Sequence, residues 1–361
     1  MSTFEEVRAE FPVLERVAYL NAGTFGPLAR RTAEAIAERA NAEAALGRGG
    51  SPYYESTRAL RERVRALLAA ELSAEPEHVA LTYSTTDACN VVLAGLQLSG
   101  EDEVVTTDSE HFGLLGPLHA SGARVRVARL RGRPADEALD AILAETGPRT
   151  RLVALSHVTW TNGHVLPLAE LKDRSAAPLL VDGAQSVGAI PVDATPFDFY
   201  TVSGQKWLCG PDSTGALYVA DPERLRVARP GHLSQSSYGR DGSFEPRPGA
   251  ARFDTGWLGA GSLAGLEAAL THRPDWRHHR ARKVAERCRD LLARDFEVVT
   301  EPGHATLVSF RVEGDAASLV QRVFDRGVVI RDLPGLGWLR ASCGYWTSEG
   351  DLDRMLAAVT D

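Results

Sequence analysis

Two short apolar runs between residues 178 and 219 constrain the fold of this chain more than any other feature. The first, residues 179–181, ends in Asp182, and the second, residues 197–202, ends in a turn that leads to Lys206. Short apolar runs bounded by turn residues are typical of strands buried on both faces of a sheet. Because open α/β sheets bind ligands at the ends of their strands, the pattern predicts a ligand site that presents a carboxylate beside a lysine.

These two side chains meet the requirements of pyridoxal 5′-phosphate (PLP). The cofactor needs a lysine for its Schiff base and an acid beside its ring nitrogen, which stays protonated so that the ring can accept electrons from a carbanion. Taken singly, Asp182 and Lys206 are better explained as a strand-end acid and a solvated lysine. Their spacing and context together favour a PLP site, with Lys206 as the catalytic residue.

The sequence around these residues resembles that of the class V aminotransferase family, which includes cysteine desulfurases and cyst(e)ine C–S lyases. The similar strings are Asp182-Gly183-Ala184-Gln185 and Ser203-Gly204-Gln205-Lys206, followed by Gly210-Pro211. The resemblance implies that Lys206 carries the cofactor, that Asp182 pairs with the pyridinium, that Gln185 bonds the ring hydroxyl and that Ser203 binds phosphate. Gln205, which stands where the family usually has a histidine, is also assigned to the cofactor site.

The alternation of helical and strand patterns along most of the chain predicts an α/β fold with a mostly parallel sheet. The rhythm changes at about residue 261. We therefore predict a large PLP-binding domain, residues 1–260, and a small α+β C-terminal domain, residues 261–361, on which about the first 20 residues pack. The resemblance implies the same architecture, fold type I of the PLP-dependent transferases, in which helices lie on both sides of the large-domain sheet.

Two further segments carry candidate cofactor contacts. Thr85 and Thr86 open a predicted helix, whose free amides and dipole suit a phosphate. A plain N-cap is the alternative, but the family has a similar string at its phosphate site, which favours Thr86 as the main contact. The Glu-His string that ends in His111 resembles one whose histidine stacks on the cofactor ring; a structural histidine is the alternative there.

The resemblance also implies a phosphate contact from a second subunit. The string Arg252-Phe253-Asp254-Thr255-Gly256 is similar to a family string that reaches into the partner's cofactor site, although Thr and Gly stand in the opposite order. It makes Thr255 a candidate cofactor contact within a homodimer that shares its active sites. An ordered surface loop is the alternative.

Substrate recognition is assigned to two arginines and one tryptophan. Arg331 and Arg340 follow predicted strands, and the resemblance places them at the α-carboxylate of an amino-acid substrate. A guanidinium holds a carboxylate through two parallel hydrogen bonds, whereas a salt bridge between elements is the alternative. Trp160 lies in a Ser-His-x-x-Trp string similar to one in C–S lyases, near the point where desulfurases carry an asparagine.

The reaction type follows from a cysteine that is missing. Desulfurases carry a nucleophilic cysteine on the loop that corresponds to residues 332–337, and this loop has none; Cys343 lies beyond Arg340. The pattern favours β-elimination with C–S bond cleavage of a cysteine- or cystine-like substrate, which uses Lys206 as the base. An aminotransferase or epimerase, a desulfurase with an atypical nucleophile, and a non-enzymatic PLP-binding scaffold are the alternatives.

Composition excludes several other classes. The 361 residues are 44% hydrophobic and 24% charged, which is ordinary for a globular protein. A net charge of −8 gives no basic field for nucleic acid. The four cysteines lack Cys-x-x-Cys spacing, so we predict no metal site and no disulfide framework. Without a signal-peptide core or an apolar run of membrane-spanning length, a cytoplasmic protein that does not contact the membrane is expected.

Overall fold

The computed structural model describes residues 2–360, which contain eleven α-helices and fourteen strands. The helices are α1 (Phe4–Ala9), α2 (Arg30–Leu46), α3 (Gly50–Glu71), α4 (Thr85–Leu96), α5 (Phe112–Ala120), α6 (Ala138–Leu143), α7 (Leu168–Arg174), α8 (Ala260–Thr271), α9 (Arg277–Leu292), α10 (Ala316–Asp325) and α11 (Glu349–Thr360). The strands are β1 (Ala18–Tyr19), β2 (Val79–Thr82), β3 (Glu103–Thr107), β4 (Arg124–Ala128), β5 (Thr150–Ser156), β6 (Leu179–Asp182), β7 (Phe199–Ser203), β8 (Gly215–Val219), β9 (Gln235–Tyr238), β10 (Phe244–Pro246), β11 (Leu307–Arg311), β12 (Val328–Val329), β13 (Arg331–Leu333) and β14 (Trp338–Ser342). None of the described helices has both the length and the apolar character needed to span a bilayer.

The largest sheet has seven strands in the order β2-β8-β7-β6-β5-β3-β4. β8 runs antiparallel to both of its neighbours, and the other pairs are parallel. Every residue of β3, β6 and β7 is buried, as their apolar runs predict. Side chains of α3 pack into the core on one face, and those of α4 and α5 pack on the other. The predicted α/β fold, with a mostly parallel sheet between helices, is therefore confirmed.

A second, antiparallel sheet of three strands, in the order β11-β14-β13, forms near the C-terminus. Helices α9, α10 and α11 contribute Cys288, Val323 and Met355 to its core. The short strand β1 pairs in parallel with β12, which places Ala18 opposite Val328. The N-terminal segment therefore packs with this C-terminal unit, although the whole seven-stranded sheet lies between them in the sequence.

Helix α8 begins at the domain boundary that the sequence predicts near residue 261. Its Leu263, Leu266 and Leu270 join the core of the seven-stranded sheet, whereas Val284 of α9 joins the C-terminal core. The hydrophobic core therefore changes between α8 and α9, one helix later than the change of rhythm in the sequence. The division of the chain into domains of residues 1–260 and 261–361 stays a prediction.

Candidate active site

Lys206 and Asp182 lie near each other at the ends of two neighbouring parallel strands. Asp182 closes β6, and Lys206 lies in the turn after β7. The pKa of Lys206 is lowered to about 8, first by burial and then by the positive charges of Arg340 and Arg331, against the attraction of Asp182. An amine with this pKa is partly unprotonated near neutral pH, as a Schiff-base nucleophile and general base must be.

The carboxyl group of Asp182 is buried and held by few partners. Its Oδ1 accepts a hydrogen bond of 2.9 Å from the main-chain N–H of Ala184. Burial raises its pKa, while Lys206, the Ala184 amide and the Thr201 side chain oppose that rise. A buried carboxylate beside a single lysine is suited to pair with a protonated ring nitrogen, because that second cation would compensate its desolvation.

Gln185, Ser203 and Gln205 form hydrogen bonds that hold the turn around Lys206. The amide nitrogen of Gln185 donates to the carbonyl of Gly23 at 2.8 Å, and its oxygen accepts from the Trp207 indole at 2.9 Å. One amide N–H of Gln185 is left for a ring hydroxyl. The hydroxyl of Ser203 donates to Gln205 Oε1 at 2.8 Å. A bond from Ser203 to phosphate would therefore replace its bond to Gln205.

Arg331 and Arg340 lie directly opposite each other in the register of β13 and β14. Arg340 is fully buried: its Nη1 donates to the carbonyl of Trp160 at 2.6 Å, while its Nε and Nη2 have no partner. Burial and the charge of Arg331 lower the pKa of Arg340 to about 9. Neither arginine forms an ion pair with a residue between 2 and 360. Because like charges opposite each other destabilise a sheet, this pair favours binding of an anion.

Trp160 connects the arginines to His111. Its ring lies edge-on to that of His111, with 5.1 Å between centroids, and the guanidinium carbon of Arg331 lies 5.7 Å from its ring centre. Arg331 Nη1 also donates to the hydroxyl of Thr24 at 3.3 Å. The indole N–H of Trp160 is buried without a partner. Residues from both sheets therefore converge on one polar pocket with unused donors.

His111 caps the N-terminus of α5. Its Nδ1 accepts from the main-chain N–H of Gly113 at 3.0 Å, so the neutral ring carries its proton on Nε2. Burial and then the charges of Lys206 and the two arginines lower the pKa of His111 to about 4. A neutral ring at physiological pH can stack on an aromatic cofactor without adding positive charge to the pocket.

The N-terminus of α4 lies beside the turn that contains His111 and Gly113. Ser84 is the N-cap and accepts from the N–H of Asp87 at 3.1 Å, so Thr85 and Thr86 occupy the first two helical positions. A Cβ added to Gly113 would come within 2.6 Å of Thr86 Oγ1. Thr86, for which the sequence predicts a phosphate contact, is thus close to the turn of His111, for which it predicts stacking on the cofactor ring.

The turn of residues 21–27 closes the pocket on the other side. A Cβ on Gly23 would lie 2.6 Å from Arg340 Nη2 and 2.9 Å from the hydroxyl of Ser342. The N–H of Gly26 donates to the carbonyl of Gln205 at 2.7 Å. The Gly- and Pro-rich wording of this turn indicates a backbone constraint, but the contacts of Gly23 with Arg340 and Gln185 are visible only in three dimensions.

Comparison with known proteins agrees with this geometry. The sequence profile described as aminotransferase class-V matches residues 19–337. The chain belongs to the class V aminotransferase family. Isopenicillin N epimerase from Streptomyces clavuligerus is 30% identical, over 99% of this chain and 98% of that protein. A cysteine desulfurase from Enterobacter sp. is 32% identical, over 74% of this chain and 71% of its own length.

Among solved structures, C-DES covers this class V chain almost completely. A variant of C-DES, with glycine covalently linked to its PLP cofactor, superposes with a TM-score of 0.91 and 28% identity, over 98% of this chain and 99% of that one. A second structure, described as the cystine C–S lyase C-DES with its product cysteine persulfide, has a TM-score of 0.90 and 28% identity, over 97% and 99% of the two chains. The predicted family and fold are therefore confirmed, and the predicted cofactor is the one that C-DES carries.

Thr255 lies apart from the cluster described above. Its main-chain N–H donates to the carbonyl of Leu81 on β2 at 3.3 Å, and its hydroxyl is buried without a partner. None of its described contacts involves Lys206 or Asp182. A contact with the cofactor phosphate of a second class V subunit stays a prediction.

Cys343 is enclosed in the C-terminal core. It is fully buried and hydrogen-bonded to Cys288, and that bond together with burial raises its pKa well above the ordinary value. The thiolate is the nucleophilic form of cysteine. A buried thiol with a raised pKa is poorly suited to carry a persulfide.

His164, Glu301 and His304 bring three candidate metal-ligand atoms within 4.8 Å of one another. However, Nδ1 of His304 accepts from the main-chain N–H of Val165 at 3.0 Å, so the neutral ring keeps its proton on Nε2 and has no free lone pair. The two imidazoles are also stacked, with 4.6 Å between centroids and 26° between planes, so their nitrogens do not converge on one point. We therefore assign no ion to this cluster.

Proposed function

We propose that this class V enzyme binds PLP at Lys206 and cleaves the C–S bond of a cysteine- or cystine-like amino acid by β-elimination. The products would be pyruvate, ammonia and a sulfur compound. The proposal builds on the match to the class V aminotransferase family, whose members use PLP, and on the near-complete superposition with C-DES.

The observation that carries the proposal is the buried guanidinium of Arg340. A fully buried cation with two unpaired donors is costly, because no counter-ion among residues 2–360 offsets its desolvation. A carboxylate offers two oxygens in the geometry that such a fork binds. The pocket therefore favours an amino acid whose α-carboxylate lies against Arg340 and whose α-carbon faces Lys206.

The residues present fit PLP. Lys206 offers an amine with a pKa of about 8, Asp182 a buried carboxylate, and Gln185 a spare amide N–H. Thr85 and Thr86 would offer the N-terminus of α4 to the phosphate. When bound, the cofactor supplies an electron sink that stabilises negative charge at the substrate's α-carbon.

The protein's part in the reaction is to hold the substrate and move one proton. Arg340 and Arg331 would fix the α-carboxylate, which sets the rotation of the α-C–H bond. Lys206 would remove that proton, and its lowered pKa suits it to this role at neutral pH. The sulfur substituent then leaves the β-carbon with its electron pair.

The environment of Cys343 supports elimination over desulfuration. A desulfurase needs an accessible thiolate to attack the substrate's sulfur, whereas Cys343 is a buried free thiol beside Cys288 with a raised pKa. We expect Cys343→Ala to retain the rate of C–S cleavage within about threefold. A tenfold loss of rate would mean that Cys343 stabilises the transition state by about 1.4 kcal/mol, and elimination gives this thiol no such role. Complete loss of activity in a folded, PLP-loaded variant would support a desulfurase instead.

Epimerisation is the second candidate, because an isopenicillin N epimerase is 30% identical over 99% of this chain. The same α-carbanion leads to inversion when a proton returns to its other face. Neutral His111, with its proton on Nε2, lies near Trp160 and the arginines, where a second proton carrier would be needed. Elimination expels the β-substituent, whereas epimerisation retains it, so the fate of this substituent distinguishes the two reactions.

The deciding experiment incubates the PLP-loaded enzyme with cystine, cysteine, alanine and isopenicillin N in deuterated water. Pyruvate and ammonia in equal amounts from cystine or cysteine support elimination. Inversion with deuterium at the α-carbon and no pyruvate supports epimerisation, and alanine with persulfide supports desulfuration. Lys206→Ala is the inactive control. Borohydride reduction should attach PLP to Lys206, and an adduct on Lys172 or Lys283, the two other lysines of the chain, would overturn the assignment.

A further inference from the structure

Glu110 is a buried acid that the mechanism above does not use. Its side chain is 2% exposed, and Oε1 accepts from the hydroxyl of Thr107 at 2.7 Å. Oε2 accepts from the N–H of Ser156 at 2.9 Å and from the Ser156 hydroxyl at 2.5 Å. No lysine or arginine within residues 2–360 forms an ion pair with it. Three neutral donors thus fix a carboxylate that has no counter-ion.

The position of Glu110 relates it to the cofactor-binding residues. It directly precedes His111, and its partner Ser156 stands opposite Asp182 in the parallel register of β5 and β6. Burial and the nearby charge of Asp182 raise the pKa of Glu110 to about 7, although the bonds from Ser156 and Thr107 lower it. Two buried carboxyl groups therefore lie at the same edge of the sheet, one after β3 and one at the end of β6, with Ser156 of β5 between them.

The other titratable groups that face these carboxyls are few. Cys89 on α4 faces both of them and has its pKa raised well above the ordinary value by burial, so it stays neutral. Tyr200 on β7 faces Asp182 and is likewise kept neutral by burial. Lys206 is the one described cation that faces Asp182. A second cation beside Asp182 would therefore experience the field of two acids.

We infer that Glu110 is a positioning residue whose negative charge adds to that of Asp182 and keeps the cofactor's ring nitrogen protonated. This inference rests on the proposed pairing of Asp182 with that nitrogen. The bonds from Thr107 and Ser156 hold the charge in place after β3, with β5 between it and Asp182. Because an opposite charge nearby favours the protonated form, loss of the Glu110 charge makes the ring nitrogen a weaker base and the electron sink a poorer one.

The test measures the ¹⁵N chemical shift of PLP labelled at its ring nitrogen, bound to the protein, as a function of pH. In Glu110→Gln the midpoint for deprotonation should fall by at least about one pH unit, which is a tenfold change in the equilibrium. The matched control is Glu103→Gln, which removes a buried acid at the opposite end of β3, where Arg149 pairs with it at 2.6 Å. That variant should titrate like the unmodified protein.

Other variants separate the possible outcomes. If Glu110→Gln does not fold, Ser156→Ala provides the test, because loss of the Ser156 hydroxyl donor disfavours the Glu110 charge and should lower the midpoint as well, while the main-chain N–H of residue 156 remains. Glu110→Asp, which retains the charge, should restore most of it. An unchanged midpoint in Glu110→Gln, or in Ser156→Ala where the former does not fold, would overturn the inference. An unchanged shift in Asp182→Asn would instead show that the proposed cofactor placement itself is wrong.

Discussion

At the residue scale, the site contains charged groups that the other described residues do not fully pair. Arg340 has two buried donors without partners, and Lys206 has a pKa lowered to about 8 by burial and neighbouring arginines. Such groups cost folding free energy and persist because a ligand uses them. Each can therefore be tested both through catalysis and through stability.

The proposed contact between Arg340 and the substrate's α-carboxylate predicts the effect of Arg340→Lys. A lysine keeps the charge but cannot form two parallel hydrogen bonds, and charge-assisted bonds contribute about 1.5–3 kcal/mol each. We expect kcat/KM to fall at least about tenfold, while the visible spectrum of bound PLP stays the same. Arg311→Lys, on the exposed edge of β11, is the control and should change little. Normal kcat/KM in Arg340→Lys would show that the carboxylate is held elsewhere.

Lys206→Met should raise the melting temperature of the cofactor-free protein at pH 7. The folded state lowers the pKa of Lys206 from 10.5 to about 8. The buried charge therefore costs stability in full below about pH 8, and that cost disappears as pH rises towards the ordinary value of about 10.4. The gain should accordingly shrink between those two pH values.

Thermal unfolding at pH 7 and at pH 10 measures this difference. Lys283→Met, at an exposed position of α9, is the control and should be neutral at both pH values. A destabilised Lys206→Met protein at pH 7 would show that the lysine is well compensated in the empty pocket.

At the element scale, three segments that are distant in the sequence form the pocket. The parallel register of β5, β6 and β7 aligns Ser156, Asp182 and Thr201. The antiparallel register of β13 and β14 sets Arg331 against Arg340. The turn of residues 21–27 lies between the two sheets and contacts both through Gly23 and Gly26.

Gly23→Ala tests the contribution of that turn. The added Cβ would come within 2.6 Å of Arg340 Nη2, which must then move. We expect KM for the amino acid to rise several-fold in steady-state assays, with the overall fold retained. Gly116→Ala in α5 has open space around the new Cβ and should be neutral or slightly stabilising. Equal KM values for Gly23→Ala and the unmodified enzyme would show that Arg340 tolerates the displacement.

At the scale of the whole molecule, an aromatic surface lies next to Thr255. The ring of Trp257 packs against Tyr53 and Tyr54, with centroids 6.3 and 6.0 Å apart, and remains 39% exposed. Tyr238 on the β9–β10 hairpin is 70% exposed. Exposed aromatic clusters of this kind mark contacts with other proteins. A second copy of the chain would cover this surface and bring Thr255 near the partner's cofactor.

We therefore predict a two-fold dimer in sedimentation experiments. Trp257→Glu should shift the protein towards monomer, because a buried unpaired charge at the contact is costly. Thr255→Ala should leave the dimer intact and weaken PLP retention modestly, as measured by release of the cofactor on dilution. A fully active monomer would contradict the shared site.

The sequence by itself determined the parts of this protein that depend on local pattern. Apolar runs that end in Asp182 and before Lys206 predict buried parallel strands with polar ends, because alternation, turns and chain chirality leave few other arrangements. The motifs shared with the class V family, residues 182–185 and 203–206, then indicate that the cofactor is PLP. For the same reason the helix-flanked sheet, and the position of Asp182 and Lys206 at the ends of two neighbouring strands, were predictable without coordinates.

Only the tertiary structure decided what depends on contacts between distant segments. The unpaired donors of Arg340, the closeness of Gly23, the hydrogen bonds of Glu110 and the enclosure of Cys343 each join elements far apart in the chain. Residue type cannot reveal whether a charge is paired, since pairing is a property of the packed neighbours. The pKa values that suit Lys206 and His111 to their proposed roles arise from that packing as well, because burial is their first cause.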